Sequence, residues 1–413
     1  MKWLLFIIGI KYFISKNGLY MYNGVRDILL YKIRDRMGKV RAVDLFCGAG
    51  GFSLAALNSD VTLLAAVELD DYACDTYREN IVKIRSPETK IFNEDIFGIN
   101  IDEFASSLNI DDSGLDILMG GPPCQGFSTH RINNKGVDDP RNKLLLHYFE
   151  FINKLKPKVF IVENVPGLLW ERHKSYLEDF NVKAKESGYK VLEPVKLNAK
   201  DYGVPQSRVR VFILGIREDI VVDESLWPPK PTHFKPTLGK PEWKKSAEVF
   251  EKPTEEVIKL MQAVLTDAVV NSLTFGSELL SSDIDTSAIH MNHTDALMHR
   301  FALTPINGSR DDIDFKLPCH DNNYNGHKDV YGRIRLAKPG PTITTGCFNP
   351  SKGRFLHPWK DHGITIRHAA RMQTFPDDYI FKGGITHQGK QVGNAVPVKM
   401  GEVIIKTVLN MIT

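Results

Sequence analysis

The 413-residue sequence has little of what would stitch it with disulfides or hold it in a membrane. Its five cysteines, Cys47, Cys74, Cys124, Cys319 and Cys347, are odd in number, and none stands in a CxxC or other zinc-type spacing. That argues against a disulfide scaffold and for a reducing compartment, so each cysteine is read by itself. The apolar run Leu4 to Ile10, after Lys2, is shorter than the roughly 20 residues a bilayer span needs, and no small-residue cleavage site follows it. Charge of one sign is missing too. The 53 Lys and Arg offset 50 Asp and Glu to a formal +3, so any basic surface for nucleic acid has to be local. No internal repeat or low-complexity tract occurs. Residues 1–36 carry no motif. They are expected to be an appendage from an over-called translation start, with Met37 the natural first residue; a partner-binding or membrane-surface segment is the alternative.

What is present begins near Lys39. Apolar runs at Val40–Phe46, Leu63–Leu69, Ile91–Ile96, Leu115–Gly120, Val159–Val165, Val191–Leu197 and Val209–Gly215 read as strands. Amphipathic stretches at about 52–58, 71–82, 142–155 and 174–187 read as helices between them. Continuous Val/Ile/Leu runs separated by helices predict a parallel sheet buried on both faces, an open, doubly wound α/β domain. The rhythm stops after Ile216, where Trp227-Pro228-Pro229-Lys230-Pro231 opens an irregular region. It resumes with helices at Ile364–Gln373 and Lys399–Met411. Length alone predicts two domains. The expected plan is a catalytic and cofactor domain at 37–216, a smaller irregular or β-rich recognition domain at 217–363, and a segment at 364–413 that returns to the first.

The strand tips carry the chemistry. The first leads into Asp44-Leu45-Phe46-Cys47-Gly48-Ala49-Gly50-Gly51-Phe52-Ser53, a glycine turn that lets a ligand approach backbone at a helix start. Taken alone, such a turn is as easily only a tight bend. The second ends in Glu68-Leu69-Asp70 and the third in Glu94-Asp95-Ile96. Acids at successive carboxyl edges suit the hydroxyls and amine of a nucleoside; singly, each reads as a helix cap or a solvated charge. The fourth enters Gly120-Gly121-Pro122-Pro123-Cys124-Gln125-Gly126-Phe127-Ser128, which exposes a cysteine at the ligand edge, whereas most free cysteines are buried and inert. The fifth ends in Glu163-Asn164-Val165. A carboxyl on an apolar strand is expensive unless it is used or paired.

At these residues the sequence resembles the DNA (cytosine-5)-methyltransferase family of bacterial restriction–modification systems. The shared segments are DLFCGAGGFS at 44–53, GGPPCQGFS at 120–128, ENV at 163–165, QSRVR at 206–210, RMQTFPDDY at 371–379 and QVGNAVPV at 391–398. They keep the family's order and frame almost everything from 42 to 410 except the insert. The resemblance implies the methyltransferase form of the α/β fold, S-adenosylmethionine as methyl donor and S-adenosylhomocysteine as product. It makes Cys124 the nucleophile for cytosine C6, Glu163 the partner of N3 and the amino group, and Arg210 the contact to the base carbonyl. Arg208 joins the catalytic set, although service to neighbouring backbone suits it better.

For the cofactor, the resemblance assigns Phe46, Gly48 and Gly51 to the methionine and ribose part. Glu68 takes the ribose hydroxyls and Asp95 the adenine amine, with Leu69 and Ile96 beside them. Pro122, Leu144 and Asn394 complete the pocket. Leu69 departs from members that place an aromatic ring there. Residues 128–143 match a loop that closes over DNA; Arg131 belongs to it, and His130 replaces the serine that fills the gap of the flipped base in some members.

The insert corresponds to the target-recognition region. Thr342-Ile343-Thr344-Thr345 resembles its Thr-containing element, so Thr344, Lys352 and Arg354, with Arg333 and Arg335, are the candidate DNA contacts. Each alone is more often a surface charge. His290, His293 and His299 lack a ligand pattern, and no metal is assigned. The expected partner is double-stranded DNA, with a cognate endonuclease encoded alongside, in a cytoplasmic, nucleoid-associated monomer of a bacterium or archaeon without stable membrane association. Competing readings are a transfer-RNA methylase, a binding-only protein, and an NAD-dependent dehydrogenase suggested by the α/β rhythm; Pro-Pro-Cys-Gln has no role in the last.

Overall fold

The computed structural model describes residues 40–110, 114–122, 143–314 and 329–412, with the Lys143 side chain excepted. It also describes two small backbone hairpins, Phe6–Ile7 with Ile10–Lys11 and Phe13–Ser15 with Gly18–Tyr20. The main sheet has eight strands: β1 Arg41–Leu45, β2 Thr62–Glu68, β3 Lys90–Asn93, β4 Ile117–Gly120, β5 Val159–Asn164, β6 Tyr189–Val191, β7 Val195–Asn198 and β8 Val209–Arg217. Their order is β6-β8-β5-β4-β1-β2-β3, with β7 also on β8. Neighbours from β3 to β5 are parallel, and β8 meets β5, β6 and β7 antiparallel. The single run expected at 191–197 is two short strands, because β6 and β7 pair with opposite ends of the long β8.

Helices follow the strands: α1 Gly51–Leu57, α2 Asp71–Tyr77, α3 Ile101–Ser107, α4 Lys143–Leu155 and α5 Lys174–Glu186. The period-two alternation of each strand divides its apolar residues between two cores. Val43, Leu45, Leu118, Phe160, Val162 and Ile213 pack with Phe149, Ile152 and Phe180 of α4 and α5. Ala42, Met119, Ile161, Phe212 and Leu214 face the other way, toward Phe52 and Ala55 of α1. That second core also takes the C-terminal helices α9 Ile366–Met372, α10 Ile385–Asn394 and α11 Val398–Ile412, through Ala369, Val392 and Ile404.

Between 218 and 363 the chain is irregular. The described residues there hold short helices, among them α6 Glu255–Val264, α7 Asp267–Asn271 and α8 Asp295–Leu303, with isolated bridges and no strand. Its apolar residues, Val249, Phe250, Ile334, Leu336 and Ile343, belong to the same cluster as Phe212 and Ile366. The insert is therefore braced against one face of the sheet by a shared core.

Candidate active site

Parallel strands run outward from β1 through β2 and β3 on one side and through β4 and β5 on the other. The carboxyl ends of β1 and β4 flank that switch point, where open α/β sheets bind ligands. Both glycine-rich motifs emerge there.

After β1 the backbone turns through left-handed conformations at Phe46 (φ 61°), Gly48 (φ 55°) and Gly50 (φ 87°). A phenylalanine held there costs on the order of 1–3 kcal/mol and persists only where its surroundings over-determine it. The Gly48 amide donates to Glu68 Oε2 at 2.9 Å, while Oε1 accepts from the Leu69 and Asp70 amides at 2.9 Å each. Glu68 thus ties the tip of β2 to the turn after β1. A Cβ at Gly48 would meet nothing within 4 Å, so this backbone faces open space. At Gly51 a Cβ would meet the Val396 carbonyl oxygen at 2.5 Å, and glycine there is required by that close approach.

Asp95 is exposed at the tip of β3, where Oδ1 accepts from the Phe97 amide at 3.1 Å. Ile96 and Pro122 are buried, Leu144 is half-buried, and Leu69 and Asn394 are exposed. An acid on an open glycine backbone, with a second acid exposed at the next strand tip, is chemistry that suits a nucleoside with hydroxyls and an exocyclic amine.

Beneath the turn lies a buried group that sequence reading missed. Asp44 Oδ2 accepts from Ser53 Oγ at 2.6 Å, and Ser53 accepts from the Tyr77 hydroxyl at 2.9 Å. Burial pushes the Asp44 carboxyl up to about 7, with the charge of Glu68 adding to it. An aspartate inside an apolar strand was the available signal.

On the other side of the switch point, Asn164 Nδ2 donates to the Pro122 carbonyl at 3.4 Å. A Cβ at Gly121 would stand 3.2 Å from Glu163 Oε2. The turn leading to position 124 is therefore anchored beside Glu163. Cys124 itself and Arg131 lie outside the described residues, as does the expected DNA-closing loop from 128 to 142. Glu163 is buried on β5 with Arg210 Nε 2.9 Å from its Oε1. The angle is poor for donation, and among the described residues no donor is aligned on Oε1. Burial raises the Glu163 pKa, opposed by the charges of Arg210 and Arg208.

Arg208 is fully buried and does not reach this carboxylate by hydrogen bond. Its guanidinium donates to the carbonyls of Ile343, Gly393 and Ala395 at 2.7, 2.9 and 3.1 Å. It braces the insert against the end of α10, a correction to its place among the catalytic residues. Gln206 and Gln373 extend this buried knot: Gln206 Oε1 accepts from the Ile343 amide at 2.7 Å, and Gln206 Nε2 donates to Gln373 Oε1 at 2.8 Å.

The insert's candidates divide. Arg335 and Lys352 are exposed and Thr344 is half-buried. Arg333 is buried and donates to the carbonyls of Phe301, Thr304, His357 and Lys360 and to Asp361. Arg354 is buried against Gly308, Arg333 and Asp329. These two arginines hold the insert together: all three guanidinium nitrogens of Arg333, and Nε and Nη1 of Arg354, donate inside the protein.

Of the histidines that lack a ligand pattern in sequence, His290 and His293 touch His362 and Gly363, His290 by ring stacking at 4.2 Å. A different trio converges: Glu251, His357 and His368, all buried, with ligand-type atoms within 4.8 Å of one another. Their hydrogen bonds oppose a metal. His357 Nδ1 accepts the amides of Trp359 and Lys360 at 3.3 and 3.1 Å, and His368 Nδ1 accepts that of Thr365 at 3.3 Å. Both protons then sit on Nε2, which for His368 is 3.0 Å from Glu251 Oε2, and a protonated nitrogen has no lone pair for a cation. Burial alone would raise Glu251, but His357, His368 and Lys360 hold it well below the usual carboxylate range.

A surface groove by Tyr189, Arg217 and Glu224 lies at the β6 edge and contains none of the crevice residues. Among the described residues no helix is long and apolar enough to cross a membrane.

Comparison with known proteins agrees with this geometry. The family model for C-5 cytosine-specific DNA methylase matches residues 40–410. The Type II methyltransferase M1.HphI of Haemophilus parahaemolyticus is 30% identical over 100% of this chain and 93% of its own length. M.DdeI of Desulfomicrobium norvegicum is 30% identical over 89% of this chain and 88% of its own. In fold, a DNA modification methyltransferase encoded within an E. coli prophage superimposes with a TM-score of 0.62 at 22% identity, covering 90% of this chain and 99% of that one. With motifs, sheet order and crevice in agreement, the chain belongs to the C-5 cytosine-specific DNA methylase family and is a DNA (cytosine-5)-methyltransferase.

Proposed function

We propose that this enzyme methylates C5 of a specific cytosine flipped out of duplex DNA, through a covalent bond between Cys124 and C6, and protects host DNA in a restriction–modification system. The observation that carries the reading is the Glu163 carboxylate. It is buried at the switch point, beside Gly121 of the cysteine turn, with Arg210 2.9 Å from Oε1 and, among the described residues, no donor aligned on that oxygen. A buried carboxylate oxygen on which no donor is aligned costs up to about 1–3 kcal/mol, offset in part here by the charge of Arg210. A base edge offering N3 and an amino group would relieve that cost.

Cytosine C5 is a poor nucleophile, and each residue answers part of that problem. The Cys124 thiolate adds to C6, and the C5–C6 π electrons move toward C5. Glu163, its pKa raised, donates a proton to N3 and makes the ring the better acceptor. Arg210 holds the base carbonyl. Bound S-adenosylmethionine supplies the electrophilic methyl group, with Glu68 and Asp95 holding its nucleoside. Loss of the C5 proton to water then returns its electron pair to the ring, the Cys124 thiolate leaves, and N3 gives its proton back to Glu163. Arg335, Lys352 and Thr344 would meet DNA from the insert. A cytoplasmic, monomeric enzyme with a cognate endonuclease completes the reading.

Duplex DNA carrying 5-fluorocytosine tests the mechanism, because fluorine cannot leave as a cation. A covalent complex that needs S-adenosylmethionine and is lost in Cys124→Ser is expected, with no adduct on transfer RNA assayed in parallel. An adduct mapped to Cys47, Cys74, Cys319 or Cys347, or one on RNA alone, would overturn it.

A further inference from the structure

Two large apolar side chains stand exposed at the cofactor edge of the sheet, each beside an acid. Leu69 follows Glu68 and is 62% exposed; Phe97 stands two residues after Asp95 and is 51% exposed. A half-exposed phenylalanine is commonplace when it is loose. This one is not loose. Its amide donates to Asp95 Oδ1 at 3.1 Å, and its ring lies 4.6 Å from that of His147, tilted by 38°. His147 is held in turn: Nε2 stands 3.2 Å from the Ile96 carbonyl oxygen, and the ring meets Phe151 edge-on at 5.9 Å. His147 comes one turn after Leu144 on α4, and i,i+3 side chains share a helix face. A ring clamped on one side and open on the other, next to an exposed carboxylate, is built to receive a flat partner.

We propose that Phe97, positioned by His147, is the aromatic wall against which the adenine of the cofactor lies. The assignment rests on the reading of Glu68 and Asp95 as the nucleoside-binding acids. It follows from one contrast on this edge. Leu69 is aliphatic and offers contact area without a π-face. Phe97 offers a π-face, and offset stacking of rings adds to simple burial. His147 acts through Phe97 and Ile96: its Nε2–H fixes the carbonyl of Ile96, which sets the path of the 95–97 backbone, and its ring backs the phenylalanine.

The full-length enzyme and S-adenosylhomocysteine suffice for a test. Base–aromatic stacking is worth roughly one power of ten in affinity. Phe97→Ala is expected to weaken S-adenosylhomocysteine about tenfold by calorimetry, with the loss falling on KM for S-adenosylmethionine more than on kcat. 5′-Methylthioadenosine, which keeps the adenine and lacks the amino-acid end, should lose the same factor. Phe97→Trp should keep the affinity, and its added emission should be quenched by either ligand. His147→Ala should show part of the loss, and His147→Gln, whose Nε2 can still donate to Ile96, should recover it. Wild-type affinity in Phe97→Ala, with binding weakened in Glu68→Ala, would overturn the assignment of the wall and leave the pocket standing. Unchanged affinity in both variants would overturn the pocket as well.

Discussion

Arg210 Nε lies 2.9 Å from Glu163 Oε1, yet among the described residues no N–H points at that oxygen. The register explains the pairing. Glu163 stands opposite Phe212 across β5 and β8, and Arg210, two residues before Phe212, shares its face. The two side chains are diagonal neighbours, close enough to attract and too oblique to bond well.

Replacing the carboxylate by an amide tests what that geometry is for. Glu163→Gln keeps the shape and removes the acid. Methyl transfer is expected to fall by about 10²–10⁴, the usual span for a lost general acid. S-adenosylhomocysteine affinity should remain, because Glu163 is not among the residues proposed to hold the nucleoside. A variant with wild-type turnover would show that the acid is dispensable.

The buried Asp44 predicts a pH dependence of stability. Its carboxyl is raised from 3.8 to about 7 by burial. Between those values the folded chain keeps a proton that the unfolded chain has lost. Stability therefore falls as pH rises through this window, and the full cost is present above about 7. Asp44→Asn keeps an acceptor for Ser53 and has no proton to lose. Wild type should lose on the order of 2–3 kcal/mol more than Asp44→Asn between about pH 5 and pH 8, read by urea unfolding. Parallel profiles would mean that Asp44 ionises normally.

Glu251 predicts stability without metal. It joins the insert to α9 through His368 at 3.0 Å and also receives Lys360. Removing one member of a buried charged cluster costs about 3–5 kcal/mol, so Glu251→Ala should melt markedly lower. Because both imidazoles carry their proton on Nε2, His368 bonding Glu251 through it at 3.0 Å and His357 standing 3.7 Å from the same carboxylate, zinc or a chelator should leave the wild-type melting temperature where it is. A zinc-dependent rise lost in His357→Ala would reverse the tautomer argument.

The sheet was legible because its signal is local. Runs such as Val159-Phe160-Ile161-Val162 are buried on both faces, and every main-sheet strand falls within an expected run or within a few residues of one. Glu163 and Asp95 stood out as acids at the ends of apolar strands. The short helices α3, α6, α7, α8 and α10 went unpredicted, since their burial is decided by distant partners. The Arg208 knot was hidden for the same reason: its carbonyl acceptors come from Ile343, Gly393 and Ala395, more than a hundred residues away. Composition marked Arg333 and Arg354 as DNA contacts because a basic residue looks the same in sequence whether it faces solvent or a cage of carbonyls.

That last distinction can be measured. Arg333 makes five hydrogen bonds inside the protein, four of them to backbone carbonyls of 2.6–2.8 Å. Arg333→Ala leaves those acceptors buried and is expected to destabilise the fold by several kcal/mol, since each orphaned group costs about 1–3 kcal/mol before relaxation. Arg335 and Lys352 are exposed, so Arg335→Ala and Lys352→Ala should change stability by less than about 0.5 kcal/mol. If they touch phosphates, each should reduce the slope of log affinity against log salt by about 0.9 and weaken all duplexes alike. If they read base edges, the loss should depend on the target sequence at about 1–3 kcal/mol per contact. Binding isotherms at several salt concentrations, on cognate and scrambled duplexes, separate the two. An unchanged slope and unchanged specificity in both variants would place DNA on another face of the insert.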